Sequence, residues 1–385
     1  MTGPARATWI IPIVAGAGTA NIWFAQPLLP TIGAELGVPA ASMTIALAAS
    51  QWAYAAGQIA VSAAARWFSI RQVLLSIAAA LVLVNCVTAL ARDYWMLVVL
   101  LVAIGALATG APLFMAVATE LSPPKERAAA VGRVIAGLVL GGGLSRLVSG
   151  SMAEWFGWRS VFVGASVLAG AALICVAVAV PPQRRLPTGS AAPARIFTPA
   201  RVALFLCNSG LFAASGIVWA FVPYLLSAPP HSLPPSVIGL AGLATVAGAG
   251  AAYRGGAFAD RHGSAVITRV GGGGALVATI VLTLAEGALP AVLAAVTLLE
   301  VVVFAAQPAI LSINNDLTMP ARGTANALST VFSMSGAFCG VVAGGWCYSA
   351  GGWSAATLAA GAFALGALTL AVLSPRAAHR PSTLV

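Results

Sequence analysis

Charged side chains are scarce in this sequence. Only 7% of its 385 residues are Asp, Glu, Lys or Arg, whereas 60% are hydrophobic. A soluble domain carries roughly 25% charged residues, so this chain has too little polar surface to cover a compact fold in water. The composition therefore excludes a water-soluble globular protein and makes lipid the solvent for most of the chain.

The residue types that build catalytic, nucleotide and metal sites are also few. The single lysine, Lys125, lies outside any Gly-x-x-x-x-Gly-Lys-Ser/Thr loop, which argues against ATP hydrolysis by this chain. The histidines, His231, His262 and His379, all fall outside the apolar runs, and the 5 cysteines show no zinc-ligand spacing. We therefore expect a protein that is not an enzyme and that has no cofactor and no metal site.

Long apolar runs fill the sequence instead. Each is long enough for a helix of about 20 residues, the length that crosses a bilayer. The runs are continuously apolar rather than alternating, which indicates helices and not the strands of a closed barrel. We predict an all-α membrane protein with twelve transmembrane helices, at about residues 8–29, 41–64, 72–91, 95–119, 128–153, 160–181, 202–226, 235–255, 264–285, 289–313, 323–347 and 353–374.

The positive charges indicate an orientation for these helices. With the amino terminus inside, sixteen of the 19 Lys and Arg residues border cytoplasmic segments, and only Arg92 and Arg159 lie on the other side. Basic residues concentrate on the cytoplasmic side of membrane proteins. We expect a multi-pass protein of the inner (cytoplasmic) membrane with both termini in the cytoplasm, and no nucleic-acid partner despite the net charge of +10.

An internal repeat divides the chain. Residues recur at an offset of 195 or 196 in the following pairs: Trp23 and Trp219, Pro27 and Pro223, Pro112 and Pro308, Glu120 and Asp316, Leu121 and Leu317, Arg127 and Arg322, Gly157 and Gly352, and Trp158 and Trp353. The repeat predicts two six-helix bundles, at 1–181 and 202–385, joined by a cytoplasmic linker at 182–201. A short cytoplasmic tail ends the second bundle. Transporters built from such parallel repeats bind substrate between the halves and rock one half against the other.

One loop motif resembles a known family. Gly256-Ala257-Phe258-Ala259-Asp260-Arg261-His262-Gly263 is similar to the Gly-x-x-x-Asp-Arg-x-Gly loop signature of the major facilitator superfamily. The resemblance implies the major facilitator fold and makes Gly256, Asp260, Arg261 and Gly263 candidates for a loop that changes contacts between conformations. The equivalent positions of the first half, Ala65 and Arg66, lack the acid.

The first two helices resemble one branch of that superfamily, the bacterial drug and metabolite exporters. The segment from Asn21 to Pro30 is similar to their Asn-Ile-Tyr-Tyr-x-Gln-Pro-Leu-Leu opening, and Gln51, Tyr54, Ala55 and Gly57 resemble the motif that follows. The fifth predicted helix resembles the antiporter-type helix in its glycines, Gly137, Gly141, Gly142, Gly143 and Gly150. The resemblance implies export of small organic molecules by proton antiport, and we expect a monomer. An importer or facilitator of a metabolite is the alternative, followed by a non-transporting receptor or enzyme.

Glu300 is the single acid that falls well inside a predicted span, in Leu298-Leu299-Glu300-Val301. A charged carboxylate at bilayer depth costs roughly 2.5 kcal/mol or more, so it must face water, find a partner or be protonated. A carboxyl that gains and loses a proton as the cavity changes sides couples transport to a proton gradient. Glu300 is therefore our proton-coupling candidate, and a permanently protonated or structurally paired carboxyl is the alternative.

Arg146 is the corresponding cation within a predicted span. Its functional interpretation is an anchor for an anionic substrate group or a partner for a carboxylate. Its structural interpretation is an arginine that extends toward Glu154 or the outer interface. The sequence does not separate the two.

Polar residues inside the other spans are candidates for the substrate cavity, because polar side chains in spans usually face protein or water. Hydrogen bonds between helices explain such residues equally well. The candidates are Asn21, Gln26, Gln51, Tyr54, Gln58, Trp219, Tyr224, Gln307, Asn314 and Asn326.

Overall fold

The computed structural model describes residues 3–123, 126–182, 197–262, 264–317 and 319–373, and these are helical apart from turns and short connections. Short 3-10 helices at Gln26–Leu28 and Ile313–Asp316 accompany the α-helices within these residues. The α-helices are α1 (Gly3–Ala20), α2 (Leu29–Leu36), α3 (Ala40–Trp67), α4 (Ile70–Thr88), α5 (Tyr94–Leu107), α6 (Ala111–Glu120), α7 (Arg127–Phe156), α8 (Trp158–Ala179), α9 (Pro199–Ser227), α10 (Pro235–Leu240), α11 (Leu243–His262), α12 (Ser264–Leu284), α13 (Leu289–Ser312) and α14 (Met319–Leu373).

Within the described part of the chain, 9 helical segments are long and apolar enough to cross a membrane. Between 28% and 56% of each apolar window is buried inside the protein, so much of every span is left to face lipid. The prediction of an all-helical membrane protein is therefore confirmed at this level, whereas the count of twelve spans stays a prediction.

One of those segments is too long for a single crossing. Thr324–Leu373 has 50 residues, and at about 1.5 Å per residue it extends ~75 Å, against roughly 30 Å for the hydrocarbon core. Non-helical dihedral angles at Gly351 and Gly352 break α14 at a point between two of the predicted runs.

The break in α14 has a counterpart at the repeat-related position. Gly157, between α7 and α8, has φ +76°, and Gly352 has φ +67°, in the left-handed region where side chains other than hydrogen are strained. The next residue in each case is a buried tryptophan, Trp158 or Trp353, whose indole N–H donates a hydrogen bond. The repeated Gly-Trp pair thus makes the same kind of helix junction twice.

Contacts divide the chain into two compact units. Unit 1 comprises Met1–Thr188 with Trp219–Val246, and unit 2 comprises Gly189–Val218 with Ala247–Val385. The predicted bundles at 1–181 and 202–385 stay a prediction, and most of the predicted linker, residues 183–196, lies outside the described residues.

Small residues bring helices of unit 1 into close contact. A Cβ added at Gly137 would overlap the carbonyl of Pro12, and one added at Gly141 would overlap the backbone of Gly16, so α1 and α7 touch backbone to backbone. Gly105 stands in the same relation to Ser50, which joins α5 to α3. In lipid the hydrophobic effect does not drive helices together, and such close approach supplies the packing energy instead.

In unit 2, small residues bring α9 and α14 into close contact in the same way. Gly336 packs on the backbone of Ser209, and Gly340 packs on Ala213. Hydrogen bonds reinforce the seam, since Asn208 Nδ2 donates to Ser333 Oγ over 2.6 Å. The seam positions the middle of α9, from which Ser215 extends to Glu300 of α13.

Candidate functional site

Arg146 forms the centre of a polar cluster in unit 1. It lies on α7 with 4% of its surface exposed. Its guanidinium carbon lies 4.4 Å from the ring centroid of Trp23 and 4.5 Å from that of Trp219. A desolvated cation–π contact contributes about 2 kcal/mol, so two of them are enough to offset the roughly 2.5–3.5 kcal/mol cost of an arginine at bilayer depth.

Hydrogen bonds fix the plane of this guanidinium. Arg146 Nε donates to Gln26 Oε1 over 2.5 Å, and Nη1 donates to the carbonyl of Gly142 over 2.8 Å and to Thr245 Oγ1 over 3.3 Å. All three acceptors are uncharged. The structure therefore directs Arg146 at the polar cluster, and Glu154, the partner in the structural interpretation, accepts instead from the backbone N–H of Ser236 over 3.3 Å.

Local sequence explains how Gln26 reaches the cluster. Helix α1 ends at Ala20, and a run of turns precedes the 3-10 helix Gln26–Leu28, where Pro27 at the start of the helix lacks an N–H to donate. Gln26 is 1% exposed, and its Nε2 donates to the carbonyl of Trp219 over 3.3 Å. The side-chain amide of Gln26 thus accepts a hydrogen bond from Arg146 through its oxygen and donates one to the backbone of α9 through its nitrogen.

Trp219 contributes a hydrogen-bond donor, its indole N–H, to which the cluster offers no acceptor among the described residues. The residue is 7% exposed, and its indole Nε1–H is buried without a hydrogen-bond partner among the residues that the structure describes. Buried N–H groups without partners are rare, and each one calls for a physical explanation such as a missing ligand or water. Trp219 was predicted as a cavity residue from its type and position alone.

A small pocket borders the cluster within unit 1. Its polar lining is Gln26 and Arg146, with the indole of Trp219 beside them. The rest of its lining is apolar, from Pro27, Val222, Pro223, Ile238 and Ala241. Its volume is about 10 Å³, so in this conformation the pocket has room for about one water molecule.

Some of the other predicted cavity residues of unit 1 form hydrogen bonds with residues of other helices. Asn85 Nδ2 donates to Asn21 Oδ1 over 2.8 Å, and both residues are buried. The Tyr54 hydroxyl is hydrogen-bonded with Gln58 and Thr19. Gln51 is buried on α3, and Tyr224 lies on α9 with its ring near that of Phe221.

Glu300 is buried in unit 2, with 2% of its surface exposed. Ser215 Oγ on α9 donates to Glu300 Oε1 over 2.9 Å, and the Glu300 carbonyl packs against Gly248 of α11. The described residues place no cation within ion-pair distance of this carboxyl. A hydroxyl can donate to an ionised carboxylate and accept from a protonated one, so Ser215 can serve both protonation states.

The remaining candidates of unit 2 lie on three elements. Asn314 Nδ2 donates to Asn326 Oδ1 over 2.9 Å, which links the 3-10 helix Ile313–Asp316 to α14. Gln307 is half-buried on α13. Among the loop-motif residues, Gly263 and the side chains of Asp260 and Arg261 lie outside the described residues, and Gly256 falls in α11.

A second arginine–tryptophan cluster lies at a helix junction of unit 1, at the beginning of the span Trp158–Ala179. Arg159 forms an ion pair with Glu35, Trp158 Nε1 donates to Glu35 Oε2 over 2.7 Å, and Arg159 Nη2 donates to the carbonyl of Ala91 over 3.0 Å. The Arg159 hydrogen bond, followed by that from Trp158, holds the pKa of the Glu35 carboxyl below its ordinary value of 4.5. These contacts tie α2 and α8 to the connection between α4 and α5.

Sequence reasoning missed four residues of these clusters, namely Trp23, Thr245, Asn85 and Ser215. Trp23 carried a usable signal, since it is the repeat partner of Trp219, and both rings cover the same guanidinium. Thr245, Asn85 and Ser215 are small polar residues in apolar helices, and such residues are too common in spans to be singled out without a partner.

The fold and these clusters define a class of protein, namely polytopic helical membrane proteins that carry buried ionisable groups inside their spans. The Major Facilitator Superfamily matches residues 9–320. This match covers most of the chain, and the chain belongs to that superfamily of transporters.

Two relatives and one solved structure agree with this membership. The chain is 29% identical over 68% of its length to the uncharacterized transporter YgaY of Escherichia coli O157:H7, covering 68% of that protein. It is 28% identical over 96% of its length to the probable transporter SCO4007 of Streptomyces coelicolor, covering 89% of that protein. A bacterial homolog of the human lysosomal transporter Spinster, solved in an inward-facing and occupied conformation, has a TM-score of 0.77 at 15% identity over 96% of this chain and 95% of its own, which shows the shared fold.

Proposed function

We propose that this transporter exports small organic molecules in exchange for protons, by alternating access of a cavity to the two sides of the inner membrane. The observation that carries the proposal is Glu300, a carboxyl that is 2% exposed inside α13 and hydrogen-bonded to Ser215. The amino-terminal motif from Asn21 to Pro30 supports export through its resemblance to the opening motif of the bacterial drug and metabolite exporters. The distribution of cations supports cytoplasmic termini.

Glu300 serves as the proton carrier in this proposal. An ionised carboxylate away from water and from a cation is costly, so Glu300 binds a proton when its surroundings are dry and releases it when they become wet. Ser215 satisfies the carboxyl in both forms by reversing the direction of its hydrogen bond. One proton then crosses the membrane in each complete cycle, because the protonated carrier changes access in one direction and the solute-loaded carrier changes access in the other.

The test is proton movement in proteoliposomes that contain the purified full chain and a pH-sensitive dye. A panel of amphiphilic organic acids, amines and neutral amides is added while a pH gradient is imposed, and proton efflux coupled to each solute is recorded. Glu300→Gln keeps the size and a hydrogen-bonding end but cannot carry a proton, so we expect solute-driven proton movement to be lost. Glu286→Gln is the matched control, because Glu286 lies between α12 and α13 and contacts Ser354.

Three outcomes decide the proposal. Loss of proton movement in Glu300→Gln with retention in Glu286→Gln supports it. Unchanged proton-driven transport in Glu300→Gln refutes the role of this carboxyl. Solute flux without any proton movement in the wild-type protein identifies a facilitator instead.

A further inference from the structure

We infer that Phe212 and Phe304 form an aromatic gate between Glu300 and the cytoplasm, and that α13 bends near Pro308 to open it. The inference rests on the proposed proton exchange and names the part of unit 2 that makes the surroundings of Glu300 dry or wet. It depends on three observations, namely the contact between the two rings, their place along α9 and α13, and the proline one turn beyond Phe304.

The rings of Phe212 and Phe304 meet one turn of helix away from the hydrogen bond that Ser215 donates to Glu300. Their centroids are 6.4 Å apart at an interplanar angle of 64°, in the edge-to-face arrangement that aromatic pairs favour. Phe212 precedes Ser215 by three residues on α9. Phe304 follows Glu300 by four residues on α13, about 6 Å along the helix axis. The ring pair therefore continues the contact between α9 and α13 that holds the carboxyl.

A third helix, α11, contacts the Phe304 ring. A Cβ added at Gly248 of α11 would lie 3.0 Å from Phe304 Cδ2 and 3.1 Å from the carbonyl oxygen of Glu300. The absence of a side chain at Gly248 thus gives the ring its place beside the backbone of the carboxyl. Phe304 packs on α9 through Phe212 and on α11 through Gly248. Both phenylalanines are half-buried, so the pair borders open space and is not sealed in a core.

In the proposed topology the ring pair lies on the cytoplasmic side of Glu300. Arg201, near the start of α9, donates from Nη2 to the carbonyl of Ile313, just past the end of α13, over 3.3 Å. The two helices therefore run antiparallel, and both rings lie between Glu300 and this end. Basic residues concentrate on the cytoplasmic side, so Arg201 marks the end as cytoplasmic. An apolar constriction at this place keeps cytoplasmic water away from the carboxyl.

Helix α13 lacks a backbone hydrogen bond next to the gate. Pro308 lies inside this helix and has no N–H, so it cannot donate to the carbonyl of Phe304, four residues before it. Proline is a common cause of sharp bends in helices. A bend at this place would move the Phe304 ring away from Phe212 and admit water to Glu300.

The internal repeat contains a second arrangement of the same segment. Pro112, the repeat partner of Pro308, lies in the first turn of α6, and residues 108–110 separate α6 from α5. With the offset of 196, these residues correspond to residues 304–306, which are continuous helix in α13. The same position of the repeat is thus broken in unit 1 and intact in unit 2. The proline segment is therefore compatible with both forms, and α13 bends where its counterpart is already broken.

The test is side-specific modification of a thiol beside Glu300. The parent is the full chain with Ser215→Cys, in a background whose 5 native cysteines are replaced by alanine. Inside-out and right-side-out membrane vesicles are treated with an impermeant sulfonated methanethiosulfonate. The rate of modification is measured by labelling the remaining thiol with a fluorescent maleimide after denaturation. We expect the parent to react slowly from the cytoplasmic face, because the gate is closed for most of the time.

Phe304→Ala and Phe212→Ala should each raise the rate from the cytoplasmic face about tenfold, the shift in population that loss of one aromatic pair can produce. The rate from the outer face should be no higher than in the parent. Phe332→Ala is the matched control, because Phe332 also forms an aromatic pair in unit 2, with Phe205 at 5.7 Å. Phe205 lies about 15 Å along α9 from Ser215, so Phe332→Ala should keep the parent's rate.

The bend in α13 is tested with a pair of proline substitutions in the same parent. Pro308→Ala restores a donor to the carbonyl of Phe304, so it should stiffen α13 and lower the rate from the cytoplasmic face. Pro290→Ala is its matched control, because Pro290 lies in the first turn of α13, where a missing N–H breaks no bond within the helix. Equal rates in these two variants would overturn the role of the bend.

Several results would overturn the gate. They are an unchanged rate in Phe304→Ala, an equal rise in Phe332→Ala, or an equal rise from the outer face. If Phe304→Ala does not fold, Phe212→Ala removes the other ring of the pair, and an unchanged rate in that variant overturns the gate as well.

The labelling uses no solute and no pH gradient, so it is independent of the proposed exchange. If transport proves not to be proton-driven while Phe304→Ala still exposes the thiol, the proposed function fails and the gate stands. If Glu300→Gln abolishes proton movement while Phe304→Ala leaves the rate unchanged, the gate fails and the proposed function stands.

Discussion

The close contact between α1 and α7 can be tested with two alanine substitutions in one helix. A Cβ at Gly141 would lie 2.7 Å from the Cα of Gly16, within overlap distance of backbone that cannot rotate away. A Cβ at Gly132, also on α7, would meet nothing within 4 Å. Gly141 precedes Arg146 by little more than one turn, so this contact also supports the position of the arginine cluster.

The expected magnitudes follow from these distances. Replacing glycine by alanine inside a helix stabilises it by about 0.5–1 kcal/mol, and this gain is common to both variants. Overpacking in Gly141→Ala costs about 1–3 kcal/mol in addition. The free energy of unfolding of Gly141→Ala should therefore lie about 1–3 kcal/mol below that of Gly132→Ala.

The assay is reversible unfolding of the purified variants in mixed detergent micelles, followed by far-ultraviolet circular dichroism. The stabilisation of the helix by alanine is common to both variants and cancels when they are compared. The difference between their free energies of unfolding therefore reports the contact between α1 and α7. Equal stabilities of Gly141→Ala and Gly132→Ala would refute the reasoning, since they would show that the two helices do not meet backbone to backbone at this point.

Three further predictions concern single hydrogen bonds. The lowered pKa of the Glu35 carboxyl stabilises the folded protein above pH 4.5, its ordinary pKa, and this stability is lost as the pH falls through the lower folded-state pKa. The melting temperature of the wild-type protein should therefore decline below pH 4.5, and Glu35→Gln and Arg159→Gln should both make that decline smaller. An unchanged decline in either variant would contradict the role of the bond between Glu35 and Arg159. Asn85→Leu should lower the free energy of unfolding by about 1–3 kcal/mol because Asn21 Oδ1 loses its donor. Adding Asn21→Leu should restore part of that loss. A double variant less stable than either single variant would argue against a hydrogen bond between Asn85 and Asn21. Trp353→Phe should cost about 1 kcal/mol through loss of the bond to the Leu282 carbonyl, and the exposed Trp346→Phe is its control, so similar losses in the two variants would count against that bond.

Much of the fold could be predicted from the sequence. Continuous apolar runs require helices in lipid, because every backbone N–H and C=O in the bilayer must be paired within its own segment. The breaks between runs follow local signals, as Gly157 and Gly352 show with their positive φ angles. The first predicted helix runs to residue 29, but in the structure α1 ends at Ala20, and turns lead from there to the 3-10 helix Gln26–Leu28, which contains Pro27.

The candidate site was predictable only in part. Glu300 and Arg146 stood out because a charge within a span is costly enough to be rare. The partners of these charges did not stand out, since Arg146 meets Gln26 across 120 residues of sequence and Ser215 meets Glu300 across 85. Contacts of that separation depend on how helices pack, and small residues such as Ser215 and Thr245 carry no local signal of it.

The sequence by itself determined the solvent of this protein, its helical class, its superfamily and the two charges that fall well inside predicted spans, because each of these follows from local hydropathy, from motif spacing or from the cost of a single charge in lipid. Only the tertiary structure decided what those charges contact. It placed the Arg146 guanidinium within 4.5 Å of the ring centroids of Trp23 and Trp219, turned it toward Gln26 and not Glu154, and left the indole N–H of Trp219 without an acceptor among the described residues. The physical reason is that hydrogen bonds and stacking depend on distances of a few ångströms between helices far apart in sequence, which backbone packing alone sets.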